Sequence, residues 1–242
     1  MKTILTEECP EDPVEESVPI KTLRVGVIRS YADLVYAQRN PDAAQAYGLR
    51  LDAICGPEVI EKVRNLKERG KSIILDIRAP EEGGRNKSLD IPTRAMLFRE
   101  HLDIATHVDI DDGSAVKLAE IRSFAKMRGV KIIISSRFLH FFPSEMRMLW
   151  PLDLFRAVEA DILRLVAVVK RRSEMSRFDA FAEQAMKEFP GRIAPMAIGA
   201  KYGQSSCKRF AVKGAAFVDC YLSEDVGEEG WQASEFKKEM GE

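Results

Sequence analysis

From Leu23 onward the chain repeats one pattern: a short run of β-branched and aliphatic residues, then a longer amphipathic stretch. The β-type runs fall at residues 23–28, 47–53, 72–78, 105–111, 130–137, 161–169, 193–198 and 214–221. Helical periodicity fills the intervals at 56–69, 91–102, 115–127, 143–158 and 174–189. Pro57 and Pro143 stand near helix starts, and Gly70, Gly129 and Gly191 follow helix ends, where each residue type belongs. Eight strands alternating with helices predict an α/β chain of the (β/α)8 TIM-barrel class. An open doubly wound sheet is disfavoured, because no GxGxxG follows the first strand and no GxxxxGK[ST] occurs anywhere. No internal repeat and no linker divides residues 22–242, which are expected to form one barrel.

Composition narrows the function classes. Of 242 residues, 45% are hydrophobic, too many for a disordered chain. The formal net charge of −1 argues against a polyanion binder working through bulk charge. Lys170-Arg171-Arg172 is the one run of three basic residues and reads as a solvated loop, so no nucleic-acid partner is expected. Residues 1–21 form an acidic leader with Glu7, Glu8, Glu11, Asp12, Glu15, Glu16 and three prolines, unlike a secretory signal. No apolar stretch suits a membrane span. Cys9, Cys55, Cys207 and Cys220 form no CxxC pair, which fits reduced thiols in the cytoplasm. With three histidines, none at zinc-ligand spacing from a cysteine, neither a metal nor a cofactor is expected.

The strands carry charge where barrel interiors are usually apolar. Side chains two apart on a strand share a face. Arg50 therefore shares one with Asp52, Asp76 with Arg78, Asp109 with Asp111, and Ser135 with Arg137. Arg164 stands between Leu163 and Leu165; if the leucines meet the helices, Arg164 meets the barrel axis. Two readings are open. One is a self-satisfied salt-bridge core of arginines with Asp76, Glu82, Asp109 and Asp111, since buried charge needs partners. The other is an anion site at the C-terminal mouth, where guanidinium forks bind carboxylate or phosphate.

At these strand ends the sequence resembles the type I 3-dehydroquinate dehydratases. Arg50-Leu51-Asp52 resembles the end of the family's Glu-x-Arg-x-Asp strand, and Arg78 to Gly84 its Arg-x-x-x-Glu-Gly-Gly loop. Val108–Asp111 is similar to its Asp-x-Glu strand. Ser135-Ser136-Arg137 with Pro143 resembles its Ser-x-His…Thr-Pro segment. Asp161-Ile162-Leu163-Arg164 is similar to its Asp-Ile-x-Lys strand, and Gly203 to Cys207 to its Gly-x-x-Ser-Arg turn. Glu229-Gly230-Trp231-Gln232 resembles its closing Ala-Pro-Gly-Gln.

The resemblance implies a barrel, a homodimer, and imine catalysis in which a lysine binds the substrate ketone and a histidine moves protons. The lysine position reads Arg164 and the histidine position Arg137. The carboxylate-clamping arginine reads Cys207, and the first glutamate of strand two reads Gly48. An imine needs a neutral amine, and a guanidinium stays protonated at any relevant pH. Nor does arginine replace a near-neutral proton shuttle, whose loss costs about 10²–10⁴-fold. The expectation is a dehydratase-like barrel without Schiff-base activity that binds a small anionic metabolite. Its ligand-binding set is Arg50, Arg78, Glu82, Asp109, Arg137, Arg164 and Gln232. Glu82 is expected to pair with Arg137, and Lys208 with Arg209 to replace the clamp beside a helix start near 204–206. Two alternatives stay open. One is an active lyase, using a displaced Lys170 and His140 or non-covalent acid–base chemistry. The other is a different barrel enzyme with Glu82, Asp109 and Asp111 as acid, base or metal ligands. Phe138, Phe141 and Phe142 either pack under the next helix or form a lid or interface patch.

Overall fold

The computed structural model describes residues 21–199, 201–223 and 231–241. The expected leader, Lys21 apart, and the Glu229-Gly230 half of the closing motif lie outside the described residues.

Eight parallel strands follow one another around the sheet: β1 (Leu23–Ile28), β2 (Ala46–Arg50), β3 (Ser72–Asp76), β4 (His107–Asp111), β5 (Lys131–Phe138), β6 (Ile162–Val168), β7 (Ile193–Ile198) and β8 (Phe217–Tyr221). The ladder order is β7-β6-β5-β4-β3-β2-β1-β8, with a two-residue β9 (Trp231–Gln232) beside β8. The ring closes between β7 and β8 through the Ala216 N–H, which donates to the Ile193 carbonyl at 2.7 Å. This is the expected TIM-barrel class.

The helices are α1 (Tyr31–Arg39), α2 (Pro57–Glu68), α3 (Ile91–His101), α4 (Ala119–Met127), α5 (Glu145–Ala157), α6 (Arg172–Glu188), α7 (Gly203–Val212) and α8 (Ala233–Glu239). Local chemistry sets several ends. The Ser30, Asp90 and Ser144 side chains accept the N–H of Asp33, Thr93 and Arg147, satisfying donors the first turn leaves free. Gly70 and Gly129 follow α2 and α4 with φ of +80° and +70°, the left-handed stop that glycine takes at little cost. Pro143, expected to open α5, precedes its Ser144 cap instead.

Alternation divides the strand side chains as expected. Leu163 and Leu165 face outward into the main core between sheet and helices, where burying each contributes about 1.5–3 kcal/mol. The bottom of the barrel interior is apolar, built from Val25, Ala46, Ile74, Ile133, Ala194 and Phe217. One pleat higher the inward residues become polar, and that change of tier positions the site.

A charged tier and a small cavity at the barrel mouth

Above the apolar floor lie Asp76, Asp109, Ser135, Arg164 and Asp219, and the guanidiniums of Arg50, Arg78 and Arg137 close over them. Arg164 is 4% exposed. Its Nη1 donates to Asp109 at 2.6 Å and its Nη2 to Asp219 at 3.2 Å, and the guanidinium lies 4.8 Å over the Phe217 ring. The Arg137 side chain is 2% exposed; Nη1 donates to Glu82 at 2.9 Å and Nη2 to Asp109 at 3.0 Å. Asp109 thus bridges two guanidiniums and also accepts from Ser135. Asp76 lies 3.0 Å from Arg78 and 3.6–3.8 Å from Arg50, Arg137 and Arg164. Arg50 holds Asp52 through two 2.7 Å hydrogen bonds.

These contacts set the titration of the tier. Burial works to raise Asp76, but the surrounding guanidiniums outweigh it and hold the carboxyl below its usual range. Burial works to lower Arg137, and Asp109, Asp76 and Glu82 together reverse the direction. Glu82 behaves otherwise: burial pushes it up to about 7 against the pull of Arg137. Burial and crowding by the other arginines bring Arg78 down to about 10, still charged at neutral pH.

The loop bearing Arg78 and Glu82 is a tight fold. The Gly84 N–H donates to the Ala79 carbonyl at 3.0 Å, and a Cβ on Gly84 would meet the Arg78 carbonyl oxygen at 2.5 Å. Only glycine fits that approach, which returns Glu82 to the barrel axis.

Above this tier is a cavity of about 220 Å³. Its polar lining comes from Arg29, Arg50, Arg78, Arg137, Asp219 and Tyr221, and its apolar wall includes Val166, Met196 and Ile198. The lining therefore holds four guanidiniums and one carboxylate; the other acids lie beneath or behind the arginines. Arg29 and Arg78 are the open ones. The Arg29 side chain is 21% exposed and has a 3.7 Å ion pair to Asp33; that of Arg78 is 20% exposed, its Nε donates to Asp76, and neither of its terminal nitrogens has a hydrogen-bond partner among the described residues.

The structure brings Arg50, Arg78, Glu82, Asp109, Arg137 and Arg164 into one cluster, with Arg50, Arg78 and Arg137 on the cavity wall. Gln232 stands apart. It pairs with Tyr221 at the sheet margin, its side chain accepts from Ser234 at 3.1 Å, and it does not line the cavity. Other sequence expectations need correction. Asp111 leaves the shared face with Asp109 and pairs with buried Arg94 of α3, away from the mouth arginines. Lys208 and Arg209 lie on the outer side of α7, bonded to Glu239 and Asp179, while Cys207 faces inward, so neither cation reaches the cavity. Burial and the nearby Asp219 charge push the Cys207 thiol up to about 12, leaving it a neutral filler. Lys170 and His140 meet in a separate hollow outside the barrel axis. Phe138 and Phe142 pack against the core and Phe141 is 52% exposed, so the trio divides between the two roles considered for it. Among the described residues no group of three or more His, Cys, Asp or Glu side chains could hold a metal, and no helix is long and apolar enough to cross a membrane.

Sequence reasoning missed Arg29, Asp219 and Tyr221. Arg29 follows β1, and Asp219 alternates with Tyr221 along β8, so the period of two that exposed Arg164 was available for these as well.

Comparison with known proteins agrees with this architecture. Residues 29–219 match the family model for type I 3-dehydroquinase. A 77-residue stretch is 36% identical to the 3-dehydroquinate dehydratase of Aquifex aeolicus strain VF5; it makes up 32% of this chain and spans only 33% of that relative. The crystal structure of the Aquifex aeolicus enzyme superimposes with a TM-score of 0.75 at 23% identity, covering 90% of this chain and 96% of that one. The type I 3-dehydroquinate dehydratase structure from Clostridium difficile gives 0.79 at 17% identity, with 90% of each chain covered. With a family match over residues 29–219 of 242, on a barrel that superimposes on solved members, this chain belongs to the type I 3-dehydroquinase family.

Proposed function

We propose that this chain is a member of the family that does not perform Schiff-base dehydration and binds a small anionic metabolite in the arginine-lined mouth. The observation that carries the reading is the state of Arg164 and Arg78. Arg164 takes the position at which the resemblance expects the lysine, and it is fixed as a cation between Asp109 and Asp219. No neutral amine is available there to attack a ketone. Arg137, at the expected histidine position, is committed to Glu82 and Asp109 and has no proton to exchange near neutral pH. Arg78 meanwhile offers two terminal nitrogens toward the cavity, with Arg29, Arg50 and Arg137 around it.

The geometry supports binding of a particular kind. A carboxylate or phosphate at Arg78 gains charge-assisted hydrogen bonds in a partly dry site, each worth about 1.5–3 kcal/mol. The cavity volume of about 220 Å³ limits the ligand to a small molecule. Most of the arginine charge is already balanced, so affinity rests on Arg78, with Arg29 beside it, and on shape rather than on a strong net field.

Two measurements test the reading. Borohydride treatment with 3-dehydroquinate, analysed by mass spectrometry, should leave the chain unmodified; a covalent adduct refutes it. Calorimetric titration with small carboxylates and with inorganic phosphate should give a saturable heat that Arg78→Gln weakens by about tenfold or more. A wild-type protein that binds none of them returns the arginine tier to a purely structural role.

A further inference from the structure

We infer that the hollow between the β5–α5 loop and the start of α6 is a second ligand site, one that takes a phosphomonoester carrying a planar ring. This does not rest on the reading of the barrel mouth. The hollow measures about 320 Å³ and is separate from the mouth cavity. The two share one loop, in which Leu139 lines the mouth while His140, Phe141 and Phe142 line the hollow.

Its charges are arranged for an anion. Glu174 is the one acid in the lining, and it is already occupied. It accepts the backbone N–H of Lys170 at 2.9 Å and of Arg171 at 3.0 Å, and it takes two further bonds from the Arg171 guanidinium at 2.8 and 2.6 Å. That arrangement caps α6 and cancels the acid against Arg171. Lys170 and Arg177 are left as the uncancelled cations of the lining. The Lys170 ammonium has no hydrogen bond or ion pair among the described residues, and neither has the His140 ring. Arg177 has one ion pair, a 3.8 Å contact to Glu145 with both partners well exposed, a pair worth little. Two cations match the two charges of a phosphomonoester, and an imidazole adds a further donor.

The aromatic part is equally specific. Phe142 packs on the core with the Arg177 guanidinium 5.4 Å from its ring centre, which fixes a cation beside an apolar wall. Phe141 turns 52% of its surface outward next to it. Exposed phenylalanine beside uncancelled cations suits a ligand with a flat apolar body and a doubly charged end.

Nuclear magnetic resonance of histidine rings in the full chain tests this. There are three histidines, and His101 and His107 lie elsewhere, at the end of α3 and the start of β4. Titration with phenyl phosphate should shift the His140 ring signals saturably. Lys170→Gln and Arg177→Gln should each weaken binding by about tenfold, the loss of one charge-assisted contact. Read at the His140 ring, Phe141→Ala should weaken phenyl phosphate but leave inorganic phosphate unchanged, and Arg78→Gln, which acts on phosphate held in the mouth, should move neither of these His140 titrations. Absence of a saturable shift overturns the inference, as does unchanged affinity in the Lys170→Gln, Arg177→Gln double variant. A Phe141→Ala variant that binds phenyl phosphate as the parent does removes the ring from the ligand description.

Discussion

Replacing Asp109 by asparagine probes the charged tier at its centre. The change keeps size and removes one negative charge from between two guanidiniums that are 2% and 4% exposed. Arg137 and Arg164 share one carboxylate oxygen and Ser135 holds the other, so the new amide keeps its oxygen to the guanidiniums and turns its NH2 to the Ser135 hydroxyl, which must rotate to accept. Removing one partner of a buried pair costs about 3–5 kcal/mol. Here the loss is cushioned: Arg137 keeps Glu82 at 2.9 Å and Arg164 keeps Asp219 at 3.2 Å. The expected cost is therefore the low end, about 3 kcal/mol. For a chain of this length about 2–4 °C of melting temperature goes with each kcal/mol, so the midpoint should fall by about 6–12 °C. Urea denaturation followed by circular dichroism, with a thermal melt beside it, measures both. A loss below about 1 kcal/mol would place the pair in the range of exposed surface bridges. The claim that the mouth arginines are desolvated and mutually held would then be wrong.

Three further outcomes are expected. Glu82 is raised from its ordinary value near 4.5 to about 7, so between those values the folded chain binds more protons than the unfolded one. Its stabilising contribution is complete below about pH 4.5 and is lost as pH rises through about 7; Glu82→Gln should flatten that fall, and parallel stability–pH curves for parent and variant would exclude it. Arg164→Lys should give no borohydride-trapped adduct with 3-dehydroquinate, because Asp109 and Asp219 would hold the new ammonium charged; a trapped adduct shows that they do not. Gly84→Ala should cost about 1–3 kcal/mol by forcing the loop off the Arg78 and Ala79 carbonyls, and a denaturation midpoint equal to the parent's would show that the loop relaxes freely.

The barrel was legible because its signals are local. A period of two placed Arg164 between outward leucines, and glycine stops marked the ends of α2 and α4. Helices α1, α7 and α8 showed no clear apolar period, although Gly214 and Gly241 stop α7 and α8 with φ of +84° and +74°. The face α1 buries consists of Asp33, Leu34 and Ala37, one large apolar residue among three, and α8 buries only Ala233 and Phe236. Charge partners were less legible than charge positions. Nothing in the sequence says that Arg94, on a helix, turns inward to Asp111, the Ser114 hydroxyl and the Ile77 carbonyl. That choice depends on how α3 seats against the sheet, a tertiary property. The removal of Asp111 from the mouth followed from it. Lys208 and Arg209 failed as a clamp for a related reason: one and two positions beyond Cys207 are about 100° and 200° around the helix, which turns both side chains away from the axis.

The β7–β8 seam has a mechanical consequence. Every other neighbouring pair of strands in the ring is laced by a ladder, whereas this pair shares, among the described residues, the single Ala216 to Ile193 stitch at its lower end. Higher up, Met196 and Ile198 of β7 face Asp219 and Tyr221 of β8 across the mouth. The cavity is thus walled on one side by the least laced line of the molecule. Parting β7 from β8 would break one backbone hydrogen bond, where parting any other two neighbours in the ring would break a ladder.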